Sequence, residues 1–119
     1  MADNTVIYDN LEGSGEKDTL RLGLGSSEIL VRGQACGYNH VTGKIVAYNS
    51  AGSNGAEVFY GLVMYDVSYT SGDRFVDVYV TGRYNSRLVV FANPSVDSVT
   101  QALINAARIL GIILKPFLT

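Results

Sequence analysis

Between residues 29 and 92 the chain is cut into short β-prone runs by turn residues, and this punctuation limits its possible folds more than any other feature. The runs cover 29–34, 44–48, 57–69, 75–81 and 87–92 and are rich in β-branched and aromatic residues. Thr42-Gly43 and Asn54-Gly55 between them can supply positive φ, and Ser71-Gly72-Asp73 suits a tight reversal. Consecutive antiparallel pairing is the expectation. Val78 and Val80 alternate with Asp77, Tyr79 and Thr81, as a strand with one buried face should. The run 57–69 alternates less cleanly and is long enough to bend, with Gly61 marking a bulge or kink.

One helix is predicted, over 95–110, because Val96, Val99, Leu103, Ala106 and Leu110 recur at spacings that share a face. Pro94 breaks what precedes it, Ser95 or Asp97 can cap the free amides, and Gly111 stands at the expected stop. Ile112-Ile113-Leu114 then reads as a closing strand before Pro116. The expected fold class is mainly β with one helix near the C-terminus, a small α+β domain.

Residues 1–28 have a different texture, dominated by Asn, Asp, Glu, Gly and Ser. Such a composition buries too little apolar surface to offset about 1–2 kcal/mol of backbone entropy per residue. The expectation is a flexible N-terminal arm over 1–28 and a β-rich domain over 29–119. Within the arm, Thr5-Val6-Ile7-Tyr8 is β-prone, and Leu20, Leu22 and Leu24 alternate with Arg21 and Gly23, without an evident partner strand.

Totals exclude several function classes. A formal net charge of -2 with scattered basic residues argues against nucleic-acid binding, which needs a basic stripe to neutralise phosphates. Asp3 and Asp9 near the start, without a basic segment followed by an apolar run, do not read as a secretory signal. No stretch approaches the roughly 18 apolar residues of a membrane helix, so a soluble product of cytoplasmic synthesis is expected. Cys36 is the single cysteine, so no disulfide can form within the chain.

Motifs for chemistry are weak. Five residues separate Gly37 from Gly43 where a phosphate loop has four, and Ile45 follows Lys44 where Ser or Thr would hold magnesium. Gly13-Ser14-Gly15 and Gly23-Leu24-Gly25 lack the strand–turn–helix setting of a dinucleotide fingerprint. Cys36 and His40 are too few to form a zinc site and lack a third orienting group for nucleophilic catalysis. Asp66, Asp73, Asp77 and Asp97 read as solvated or capping groups. Eight tyrosines without a tryptophan suit either an interface or half-buried strand positions. No catalytic, cofactor or metal residue is assigned.

The succession Arg32-Gly33-Gln34, Thr42-Gly43-Lys44, Gly55, Gly61-Leu62-Val63, Val80-Thr81-Gly82 and a helix ending at Gly111-Ile112 resembles the lambda-type phage head decoration proteins over residues 29 to 114. The resemblance implies a β-clip-like domain without catalysis or cofactor. It implies homotrimers seated at three-fold and quasi-three-fold positions on the exterior of an expanded capsid, synthesised in the host cytoplasm. It also implies that the N-terminal arm orders on the major capsid protein; the strand-like pieces of that arm, Thr5, Val6, Ile7, Tyr8, Leu20, Leu22 and Leu24, are then the expected capsid-binding residues. The alternative is a small β-barrel-like module binding a ligand or glycan through its tyrosine-rich face, and third an enzyme built around Cys36 and His40.

Overall fold

The computed structural model describes residues 11–13, 17–69 and 74–116. The elements run β1 (Thr19–Gly23), β2 (Ile29–Leu30), β3 (Ala35–Asn39), β4 (Lys44–Ala47), β5 (Gly61–Val63), β6 (Val67–Ser68), β7 (Phe75–Tyr79), β8 (Gly82–Asn85), a 3₁₀ turn (Ser86–Leu88), α1 (Gln101–Leu110) and β9 (Ile112–Lys115). The domain is mainly β with a single helix near its C-terminus, the class the sequence pattern predicts.

Five strands form the principal sheet in the order β1-β7-β5-β3-β4, each pair antiparallel. Its two ends meet: Leu24 bridges to Ile45, and the Gly25 N–H donates to the Ile45 carbonyl at 2.8 Å. The curled sheet encloses Leu24, Leu30, Cys36, Ile45, Val63, Val76 and Val78. Its other face packs Ala35, Leu62 and Tyr79 against Leu11, Phe59, Tyr84, Leu103, Ala107, Ile112 and Leu114. Neighbours Ala35 and Cys36, Leu62 and Val63, and Val78 and Tyr79 thus enter opposite cores, as the pleat requires. This double burial is why the run 57–69 lacks alternation: all three residues of β5 are buried.

The remaining pairings are only partly sequential. The β3–β4 hairpin turns through Asn39, whose side-chain Oδ1 accepts from the N–H groups of Val41 and Thr42 at 2.9 and 3.2 Å, and through Gly43 at φ 73°. β8 and β9 pair in parallel with α1 between them, a β–α–β unit rather than the expected antiparallel succession.

Four predicted elements differ, the first being the run 57–69, which divides into β5 and β6 in separate sheets. The helix begins at Gln101 instead of residue 95, capped by Thr100, whose Oγ1 accepts from the Leu103 N–H at 3.2 Å. Val96 and Asp97 instead donate their N–H groups to the Asn93 carbonyl, and the Asp97 carboxylate accepts from the Ser50 N–H at 3.3 Å. Its end is as expected, with Gly111 left-handed at φ 95°. The run 87–92 is not a strand, because Asn85 accepts from the Arg87 N–H through its side chain and starts a 3₁₀ turn. The run 29–34 keeps only β2, since Gly33 turns the chain at φ 84° and the Gln34 side chain accepts from the Val31 N–H.

The boundary expected at residue 28 also moves. β1 lies within it and pairs with β7 along its whole length, and Leu24 is fully buried. Further upstream, Leu11 to Gly13 run antiparallel to β8, with the Gly13 N–H on the Arg83 carbonyl and the Asn85 N–H on the Leu11 carbonyl, both at 2.7 Å. The Leu20, Leu22, Leu24 alternation has a partner after all, one remote in sequence.

Candidate functional site

Two regions combine side chains that packing alone does not demand: a polar cluster where the N-terminal segment meets the domain, and an apolar surface beside α1.

The polar cluster forms because three elements converge on Glu12. Tyr79, at the end of β7, donates its hydroxyl to Glu12 Oε2. Arg32, in the loop after β2, donates to the same oxygen at 3.1 Å, to the Tyr79 hydroxyl at 3.1 Å and to the Met64 carbonyl at 2.8 Å. Lys17 Nζ lies 3.5 Å from Glu12 Oε1. The Tyr84 ring packs 4.9 Å from that of Tyr79 and sends its hydroxyl to the Thr81 carbonyl.

Electrostatics follow from this geometry. Partial burial acts to raise the Glu12 carboxyl, but hydrogen bonds from Tyr79 and Arg32 and the charges of Lys17 and Arg32 outweigh it and hold the group below its ordinary value. Burial, reinforced by donation to Glu12, pushes the Tyr79 phenol up to about 12. Glu12 is therefore an anion and Tyr79 a neutral donor at neutral pH. Such a pair clamps the chain; it offers no proton for transfer near pH 7.

The apolar surface comprises two adjoining grooves that share Val58. One, of about 400 Å³, lies between Tyr48, Val58, Phe59 and Val96 on one side and Ala102, Leu103 and Ala106 of α1 on the other. A second, of about 270 Å³, is lined by Tyr38, His40, Gly55, Val58 and Tyr60, with Tyr38 and Tyr60 stacked at 5.5 Å.

Residues singled out for chemistry are not brought together. Cys36 is fully buried inside the curled sheet, its Sγ donating to the Gly61 carbonyl at 3.4 Å, while His40 is exposed. Burial pushes the Cys36 thiol up to about 12, which keeps it protonated and unreactive. Asp66 accepts from the Arg32 N–H at 2.8 Å, Asp77 faces Arg21 at 4.0 Å, and Asp73 lies outside the described residues. Among the described residues no three His, Cys, Asp or Glu gather as metal ligands, and no helix is long and apolar enough to cross a membrane.

Of the expected capsid-binding residues, Thr5, Val6, Ile7 and Tyr8 lie outside the described residues. Leu20 is 45% exposed on β1, Leu22 is half-buried against the curled core, and Leu24 is fully buried. Only Leu20 of the three is exposed, and Leu24, expected as a contact residue, is instead enclosed in the core. The sequence reading missed the Glu12 cluster because its members lie far apart along the chain. The one available signal was Arg32, a charge inside a β-prone run.

A scan against models of known protein families finds no match to this chain, and a search of curated proteins finds none either.

Proposed function

We propose that this chain is a capsid decoration subunit that associates as a homotrimer, binds the major capsid protein on the exterior of an expanded phage head, and stabilises the shell. The observation that carries the reading is what the glycines of the resemblance do. Gly33, Gly43, Gly55, Gly82 and Gly111 all have positive φ, between 73° and 122°. They are also all of the positive-φ glycines among the described residues. The sixth, Gly61, sits where β5 crosses β7, and a Cβ there would fall 2.4 Å from the Tyr79 carbonyl oxygen. The pattern therefore falls on backbone positions where a side chain would be strained or crowded, which supports the reading.

The anchoring of the N-terminal segment supports the same reading. Leu11 is buried and Glu12 is clamped, so a pull on residues 1–10 is transmitted to the domain core. If Thr5-Val6-Ile7-Tyr8 adds a strand to a capsid sheet, main-chain hydrogen bonds supply generic affinity and alternate side chains fill pockets. Three arms on one trimer then bind cooperatively, with an avidity gain on the order of 10² to 10⁴. Binding that selects the expanded lattice stabilises it by mass action.

The second reading, a ligand- or glycan-binding module, draws on the stacked Tyr38 and Tyr60 beside His40. That groove is almost wholly apolar, with His40 and the Tyr38 and Tyr60 hydroxyls as its polar side-chain groups, and among the described residues no carboxylate or amide side chain lines it as a sugar site would need.

The test is co-sedimentation of the purified protein with expanded, undecorated heads. The full chain is expected to pellet with the heads, and a chain lacking residues 1–9 to stay folded but remain in the supernatant. Normal binding by the shortened chain would overturn the role of the arm. A full chain that ignores the heads would overturn the decoration reading.

A further inference from the structure

α1 carries more apolar surface than its own domain covers. Leu103 and Ala107 enter the core, but Ala102, Ala106, Ile109 and Leu110 are exposed, Ile109 at 87%. With about 100° between successive helical residues, Ala102, Ala106 and Ile109 fall in one narrow stripe. Two residues that the sequence pattern assigns to the buried face, Ala106 and Leu110, thus lie on the outside of the helix, and Val96 is exposed ahead of it.

The two ends of this stripe have opposite shapes. Toward the N-terminus of α1 it walls the groove of about 400 Å³, whose far side carries Val58 and Val96, both at least 60% exposed. Toward the C-terminus, about 10 Å along the axis, Ile109 and Leu110 stand out as a knob. Charge follows shape. Exposed Arg108 flanks the knob and forms no ion pair among the described residues. Exposed Glu57 lies on the groove, its carboxylate engaged among the described residues by the Gly55 N–H alone.

We propose that knob and groove are the two halves of a heterologous interface between copies of this chain, with Ile109 of one copy seated between Val58, Val96 and Ala106 of the next and Arg108 facing Glu57. The groove's volume accommodates an isoleucine side chain with room for Leu110. A surface of one copy meets a different surface of the next, so the contact is head-to-tail and closes into a ring when the rotation permits. Closure at three copies rests on the decoration reading; the pairing of the two surfaces does not. An apolar patch left in water on both partners, with opposite charges at its edge, is the usual signature of a protein contact.

The test is the mass of the full chain in solution, measured by light scattering over a range of concentrations. The parent protein is expected to form a closed trimer. Ile109→Asp and Val58→Asp, both at exposed positions, should each give folded monomers with unchanged circular dichroism. An equimolar mixture of the two should give heterodimers, since each retains the half that the other lacks. Arg108→Glu and Glu57→Lys should each weaken association about tenfold or more, and the double reversal should restore it. A monomeric parent protein, or an Ile109→Asp variant that still assembles, overturns the proposal. Should a monomeric parent bind heads and Ile109→Asp abolish that binding, the stripe faces the capsid protein, and the self-interface falls while the decoration reading stands. Should the variants dissociate as stated while the parent trimer ignores heads, the interface stands and the decoration reading falls.

Discussion

Glu12 shows how much of this structure depends on single side chains placed far from their partners. It receives Tyr79 and Arg32 on one carboxylate oxygen and Lys17 on the other, and so fastens Leu11 to Gly13 along β8. Its folded-state pKa is lowered, so its contribution is fully present above the unfolded value of about 4.5 and is lost as pH falls through the folded value. Tyr79 behaves oppositely at the alkaline end. Its pKa is raised, so its contribution is present below the unfolded value of 10 and is lost as pH rises toward about 12. Glu12→Gln keeps the shape and an acceptor for Tyr79 but removes the charge. Because the site is partly exposed, the loss should be about 1–2 kcal/mol at pH 7 rather than the full value of a buried ion pair. Denaturation of both proteins in urea between pH 3 and 8 checks this: the difference should be constant above about pH 5 and shrink toward zero below 4. A difference that is independent of pH would show that the carboxylate charge contributes nothing.

At the scale of elements, α1 separates what a local pattern can specify from what it cannot. Gly111 stops the helix where the sequence puts the stop, because a left-handed cap is a local requirement that glycine meets at little cost. The start was misplaced by six residues because Ser95, Asp97 and Thr100 are all competent caps, and the choice among them is tertiary. Asp97 is drawn to the Ser50 N–H, which leaves Thr100 to cap. Thr100→Ala should therefore lower stability by about 1 kcal/mol, whereas Ser95→Ala should change it by less than about 0.5. Thermal melts of the two variants check the assignment, and equal losses would return the helix start to residue 95. The same distinction governs the sheets. Turns such as that at Asn39 to Gly43 were legible, and so was the β content. The order β1-β7-β5-β3-β4 and the parallel β8–β9 pair were not, since they join segments far apart in the chain. Of the candidate site, the burial of Cys36 as a small thiol was legible, but the Glu12 cluster and the exposed stripe on α1 required the folded chain.

At the scale of the whole molecule, the question is where the arm ends and the domain begins. Composition alone puts the limit at residue 28, but the core claims two leucines from that segment: Leu11, packed with Tyr84 and Leu114, and Leu24, which closes the curled sheet against Ile45. Burial of each contributes about 2–5 kcal/mol, and β1 adds its ladder to β7. A domain of this size holds a net stability of only about 5–15 kcal/mol. Deletion of residues 1–9 keeps Leu11, Leu24 and the Glu12 clamp and should therefore leave a cooperatively folding chain. Deletion of 1–16 removes Leu11 and Glu12 and should lower stability by about 3–5 kcal/mol while the chain still folds. Deletion of 1–24 also removes β1 and Leu24 and should leave no cooperative transition at all, exposing β7 as an unpaired edge prone to aggregate. A 1–24 deletion that unfolds with the midpoint of the full chain would mean that β1 adds nothing to the core. The arm would then extend to residue 24, and Leu20, Leu22 and Leu24 would again be free to bind a capsid.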